Sequence, residues 1–112
     1  MKIYHNPRCT KSRQTLALLQ ENGVEPQVVE YLKELLSVEE LKELISLLGI
    51  TPLELVRKNE IIWKEQFKGK ELSDDEVIQA MVKNPKLIER PIVVKQKKAA
   101  LGRPPENVLQ LI

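Results

Sequence analysis

Three sequences of the form S/T-x-x-E lie close together in this 112-residue chain: Ser37–Glu40, Thr51–Glu54 and Ser73–Glu76. Each is spaced to close a capping box. The hydroxyl accepts from the N–H three residues on, and the carboxylate accepts from the N–H of the capping residue. The residues after each box sustain a helix. In "SVEELKELISLLG", Leu41, Leu44, Ile45 and Leu48 form an apolar stripe, and Gly49 ends it. "TPLELVRKN" has Thr51 as cap and Pro52 at the first helical position, and this short helix is expected to carry Arg57. "SDDEVIQAMVKNP" runs to Asn84 and Pro85. Between the last two, "EIIWKEQFKGKEL" reads as a helical turn and a loop around Gly69, with Trp63 and Phe67 on one helical face. The stretch from about 37 to 84 is therefore expected to be all-helical.

The strands must come from the two flanks. "KIYH" opens as a strand, "NPRC" turns, and "TKSRQTLALLQEN" forms a helix around Leu16, Ala17, Leu18 and Leu19, stopped by Gly23. "QVVEYL" is a second strand. At the far end "PIVV" and "KAALG" flank a charged turn, "KQKK", as in a hairpin, and "RPPENVLQLI" starts a last helix with Val108, Leu111 and Ile112 as its stripe. A right-handed β-α-β crossover makes the first two strands parallel, and the hairpin adds antiparallel ones. The expected fold is α/β and thioredoxin-like, a mixed four-stranded sheet with an all-helical insertion, in a single domain over residues 1–112.

Composition narrows the function. Hydrophobic residues at 42% and charged residues at 30% fit a globular chain rather than a disordered one. A net charge of +2 and one Trp, two Tyr and one Phe give little to hold or stack a nucleic acid, so none is expected as partner. No apolar run approaches the ~20 residues of a membrane span. The N-terminus has no apolar segment of the secretory kind. With one cysteine, no internal disulfide forms, and the cytoplasm is the expected compartment. There is no G-x-G-x-x-G and no phosphate loop, so no nucleotide cofactor is indicated. A small chain without a long apolar surface run is expected to be a monomer.

That single cysteine, Cys9, lies in "HNPRCTKSR" with the single histidine, His5, and with Arg8, Lys11 and Arg13. It stands where a turn meets a helix N-terminus, whose unpaired N–H groups and dipole favour a thiolate. Lys11, Arg13 and Arg8 act in the same direction wherever they face the sulfur. Such surroundings lower a cysteine pKa and make the sulfur a nucleophile. A lone cysteine is more often a small buried hydrophobe, but this turn offers it no apolar neighbour. His5 either tunes the thiolate or satisfies local backbone groups, and the local sequence leaves both open. One His and one Cys supply too few ligands for a structural zinc, so no metal is expected. Position 12 is Ser12, so no C-x-x-C pair is present, and an external thiol must resolve any adduct on Cys9.

Arg90 and Arg103 each precede a proline, which presets an extended backbone. Arg103 also enters a helix N-terminus, an anion site in its own right. Guanidinium groups bind tetrahedral oxyanions through paired hydrogen bonds. On spacing alone, these two and Arg57 read equally well as ordinary surface charge.

"IYHNPRCTKSR", "VRKN", "NPKLIERPIVV" and "GRPPENVL" together resemble the ArsC-type arsenate reductases, the glutaredoxin-coupled kind, almost from end to end. The resemblance implies a thioredoxin-like fold with a helical insertion. It implies that Cys9 attacks arsenate, that glutathione as co-substrate attacks the adduct, and that glutaredoxin reduces the mixed species and arsenite leaves. It implies that His5 helps to lower the cysteine pKa, that Arg57, Arg90 and Arg103 hold the oxyanion, and that the Arg90–Pro91 peptide is cis. Thr10, Lys11, Ser12 and Arg13 match the anion-binding loop after the cysteine. Well-characterised members read C-G-T-S-R where this chain reads Cys9-Thr10-Lys11-Ser12-Arg13, and its length is similar to that of a shorter subgroup. Two other classes stand beside this one. One is a related thiol-dependent oxidoreductase acting on another oxyanion or on glutathione mixed disulfides. The other is an Spx-like regulator binding RNA polymerase; those usually lack the His-Asn-Pro lead that is present here.

Overall fold

In the computed structural model, which describes residues 1–112, strands β1 (Lys2–Tyr4), β2 (Gln27–Val29), β3 (Ile92–Lys95) and β4 (Lys98–Leu101) form one sheet in the order β2-β1-β3-β4. β1 and β2 run parallel, pairing Ile3 with Val28. β3 lies antiparallel to β1, pairing Ile3 with Val93, and β4 antiparallel to β3, pairing Val93 with Ala100. The sheet is the mixed one that the sequence pattern predicts. The second strand is shorter than "QVVEYL". It ends at Val29, and Tyr31 is buried in the turn beyond it.

Helix α1 (Thr10–Glu21) makes the crossover between β1 and β2. Ile3, Val93 and Ala100 share one face of the sheet by register, and they cluster with Leu19 of α1 and with Val108 and Leu111. Leu16 and Leu18 pack against this cluster, whereas Ala17 is exposed. The buried face of α1 is Ser12, Thr15 and Leu19, so of the expected face only Leu19 is fully buried, and the first half of the helix buries polar side chains. The final segment, Pro105–Leu111, is a 3-10 helix. Its period of about three residues per turn aligns Pro105, Val108 and Leu111 on the buried side. Ile112, expected in the same stripe, stands 51% exposed because the tighter winding turns it outward.

Residues Leu35–Glu89 form a compact unit of their own, as do Met1–Glu34 together with Arg90–Ile112. The former holds α2 (Val38–Leu48), a 3-10 turn (Pro52–Leu55), α3 (Ile61–Gln66), α4 (Asp74–Lys83) and a second 3-10 turn (Pro85–Leu87). All three capping boxes close in both directions, at Ser37, Thr51 and Ser73. Gly49 ends α2 in the left-handed region, at φ 69°. α4 carries Asp74, Asp75 and Glu76 in its first turn and Lys83 in its last, as the helix dipole favours. Leu41, Leu44 and Ile45 of α2 and Val77, Ile78 and Met81 of α4 are buried. Trp63 and Phe67 stack with ring centroids 5.4 Å apart. No helix is long and apolar enough to cross a membrane.

Candidate active site

β1 continues one bond past its last residue, the His5 N–H donating to the Val29 carbonyl at 2.8 Å. The chain then turns sharply. Asn6 makes the turn, its Oδ1 accepting the Arg8 N–H at 3.0 Å and its carbonyl accepting the Cys9 N–H at 3.0 Å. An Asn side chain that mimics a backbone turn in this way is a recurrent device. Arg13 ties the loop from outside: Nη1 donates to the Pro7 carbonyl at 2.9 Å and Nη2 to Thr10 Oγ1 at 3.2 Å.

Cys9 is thereby delivered as the capping residue of α1, half-buried and with extended backbone. No acidic residue occupies the first turn of α1. The thiol makes no formal capping bond, yet several groups around it favour its anion. Burial alone pushes the thiol pKa up. The Ser12 N–H, the hydrogen bond and charge of the Arg90 guanidinium, and the Lys11 N–H act the other way, and the net pKa lies below that of an ordinary cysteine. Among the cations near Cys9 in sequence, Lys11 contributes through its main chain, and the guanidinium at the sulfur is that of Arg90.

Arg90 reaches Cys9 from the start of the hairpin. The Arg90–Pro91 peptide is cis, in line with the family resemblance, and Arg103–Pro104 is a second cis bond that no sequence signal announced. Arg103 Nη1 donates to the Arg90 carbonyl at 3.0 Å. The Gly102 N–H donates to the Pro91 carbonyl at 2.9 Å, and Thr15 Oγ1 lies 3.4 Å from the Gly102 carbonyl. Thr15 also bonds the Lys11 carbonyl at 2.8 Å. These contacts join α1, the Pro91 turn and the end of β4. Thr15 and Gly102 were not singled out from the sequence. An isolated glycine at a strand end is the one signal that pointed to a close approach.

His5 is buried and its Nδ1 lies 2.6 Å from Ser12 Oγ, which also accepts the Asn6 N–H at 3.0 Å. Burial lowers the His5 pKa, the Glu30 carboxylate raises it, the Arg13 charge lowers it, and the net is a histidine held neutral more readily than a free one. His5 therefore meets the cysteine loop through Ser12, whose N–H acts on the sulfur.

Arg57 lies in the Leu35–Glu89 unit, and not on a helix as expected: the 3-10 turn ends at Leu55. Val56 instead bridges to Ile88 in antiparallel fashion, and the Arg57 N–H donates to the Leu87 carbonyl at 2.7 Å. The short bridge draws the chain out of helical winding. The Arg57 guanidinium faces Glu60, with Nη1 3.5 Å from the carboxylate. No group of three or more His, Cys, Asp or Glu side chains is placed to hold a metal.

Residues 4–111 match the ArsC family model. The chain belongs to the ArsC family. It is 54% identical to the uncharacterized protein YfgD of Escherichia coli K12, over 100% of this chain and 96% of that one. It is 42% identical to the arsenate reductase of Haemophilus influenzae, over 98% and 97%. The solved structure of an arsenate reductase from Vibrio cholerae superposes with a TM-score of 0.95 at 51% identity, covering 99% of this chain and 96% of that one. The thioredoxin-like fold of this ArsC-family chain is thus the one its sequence pattern predicts.

Proposed function

We propose that this ArsC-family chain reduces arsenate to arsenite with Cys9 as nucleophile. The observation that carries the reading is the sulfur's setting: the thiol of the residue that precedes α1, with the N–H groups of Ser12 and Lys11 and the Arg90 guanidinium acting on it. Donors that favour a thiolate equally favour the oxygens of an anion brought to it. The names of the relatives point to arsenate as that anion.

The Cys9 thiolate attacks arsenic(V) and expels one oxygen as hydroxide or water, forming a thiol–arsenate adduct. Glutathione adds to the arsenic in the same manner, its thiol losing a proton as a second oxygen leaves as water. A glutaredoxin thiolate then attacks the glutathione sulfur. The two sulfurs become a mixed disulfide, and their two electrons reduce arsenic(V) to arsenic(III). Water displaces Cys9 from arsenic(III), which releases arsenite and restores the thiolate. Because Cys9 is the only cysteine, every resolving thiol comes from outside the chain. Arg57, Arg90 and Arg103 hold the oxyanion, with the loop Thr10, Lys11, Ser12 and Arg13 around it, and His5 orders that loop through Ser12. The chain works as a cytoplasmic monomer with no bound cofactor.

The test is arsenate-dependent NADPH oxidation in a coupled assay with glutathione, glutaredoxin and glutathione reductase, comparing wild type with Cys9→Ser. Turnover in the wild type that disappears in the variant supports the reading. No turnover, while Cys9 still alkylates rapidly near neutral pH, assigns the reactive thiol to a different substrate.

A further inference from the structure

Beside the cysteine loop lies a cavity of about 260 Å³ lined by His5, Asn6, Pro7, Arg8, Glu30, Leu32 and Lys33. Two of its lining residues are polar and deeply buried: His5 and Asn6 are each 6% exposed. Their bonds to the protein leave one polar atom apiece without a protein partner. His5 is engaged through Nδ1, and Asn6 through Oδ1 and its main chain, so His5 Nε2 and Asn6 Nδ2 remain for the cavity. Neither atom is sealed from solvent, so both are open to a ligand that enters the cavity.

The hydrogen bonds also decide what these atoms offer. Ser12 Oγ accepts the Asn6 N–H, and its own proton needs an acceptor inside a fully buried site. His5 Nδ1 is the acceptor within reach, at 2.6 Å. The ring proton then sits on Nε2. Nε2–H and the Asn6 Nδ2 group are both donors, so two residues of the lining offer neutral donors. Arg8 and Lys33 add positive charge at its lining, and Glu30 adds one negative charge. The Lys33–Glu30 pair, at 3.7 Å with side chains 79% and 38% exposed, is weak enough to open for a ligand.

We infer that this cavity seats the γ-glutamyl end of glutathione. Its α-carboxylate is held by the His5, Asn6 and Arg8 donors and its α-ammonium by Glu30. The inference rests on the proposal that glutathione is the resolving thiol. Arg8 and Glu30 in the lining match in sign the one carboxylate and the one ammonium of the γ-glutamyl end. A cavity of this volume lies below the ~300–1,000 Å³ that encloses a drug-sized ligand, so it takes one end of the tripeptide and leaves the thiol outside. Pro7 and Arg8 line the cavity and lead directly into Cys9, which brings that thiol toward the adduct.

The first measurement needs no arsenate. S-methylglutathione is titrated into the wild-type protein by NMR, against S-methylcysteinylglycine, which lacks the γ-glutamyl end. Binding of the former, with the latter at least about tenfold weaker, is expected from the loss of charged hydrogen bonds. Equal affinity, or no shift at His5, Asn6 and Glu30, overturns the inference. The second measurement uses Arg8→Gln and Glu30→Gln in the coupled assay. The glutathione KM is expected to rise about tenfold while the arsenate KM stays. Arsenate turnover with a glutathione KM unmoved in both variants overturns the cavity assignment and leaves the arsenate reading intact. Selective binding of S-methylglutathione without arsenate turnover upholds the cavity and removes arsenate as the substrate.

Discussion

Arg103 donates from Nη1 to the main-chain carbonyl of Arg90 at 3.0 Å, so one arginine holds the backbone that carries another. The Arg90 guanidinium in turn favours the Cys9 thiolate, by hydrogen bonding and by charge. The relationship ranks the two residues. Arg90→Ala removes both a donor and a charge from the thiolate. Arg103→Ala removes a support of the backbone behind it. The thiol pKa is expected to rise in both variants, and further in Arg90→Ala. Iodoacetamide alkylation followed against pH reads the change directly. At pH ~7 the rate in Arg90→Ala should fall on the order of tenfold, as one charged hydrogen bond implies. An unaltered profile in Arg90→Ala would show that the guanidinium does not act on the sulfur.

The depressed thiol pKa also links Cys9 to folding stability. A group whose folded pKa is lowered stabilises the fold above its unfolded pKa, about 8.5 for cysteine, and loses that contribution as pH falls through the folded value. Wild type should therefore exceed Cys9→Ser in unfolding free energy by more at about pH 9 than at about pH 5. Urea melts at the two pH values give the difference. A constant difference would mean that the folded protein does not favour the thiolate.

Gly102 has no room for a side chain. A Cβ there would lie 2.6 Å from Thr15 Oγ1 and 2.7 Å from the Pro91 ring. Both neighbours are held, Thr15 by the Lys11 carbonyl and Pro91 by its bond from the Gly102 N–H. Gly102→Ala should cost about 1–3 kcal/mol, the usual range for overpacking. Because the Pro91 turn carries Arg90, Cys9 alkylation should slow as well. A variant as stable as wild type in thermal melts would show that the turn yields freely.

Ser12 satisfies two buried groups at once, His5 Nδ1 and the Asn6 N–H. Ser12→Ala leaves both without their partner, at about 1–3 kcal/mol for an unsatisfied buried group. Ser12→Cys keeps the volume more nearly and should cost less, although it adds a thiol. Chemical denaturation of the two variants orders them. Equal stability of Ser12→Ala and wild type would exclude this role.

Ser37 and Ser73 cap α2 and α4 through closed boxes. Each Ser→Ala change should cost about 1 kcal/mol, read from chemical denaturation. The two caps share no hydrogen-bond partner, so the double variant should lose close to the sum.

The helical half was legible because its signals are local. A hydroxyl and a carboxylate three residues apart close a capping box whatever the rest of the chain does, and Gly49 relieves a left-handed end in place. The strand segments and the reactive setting of Cys9 could be read for the same reason: turn, helix start and thiol lie within a few residues. The roles proposed for Arg57, Arg90 and Arg103 came from family resemblance, since an arginine's partner is not written in its neighbours.

Tertiary structure decided the rest. It brought Arg90 to Cys9, set Arg103 on the Arg90 carbonyl, and placed Thr15 against Gly102, 87 residues away. It buried Ser12 and Thr15 beside Leu19 on α1, where the leucine pattern had pointed only to Leu16 and Leu19, and their hydroxyls bond the cysteine loop and the end of β4. It wound the last segment as a 3-10 helix and drew Arg57 out of a helical turn through the Val56–Ile88 bridge. Capping and glycine geometry act over three or four residues, and the sequence contains them whole. Sheet register, cis-proline turns and the pairing of distant side chains arise only when separate segments pack, and no local pattern carries them.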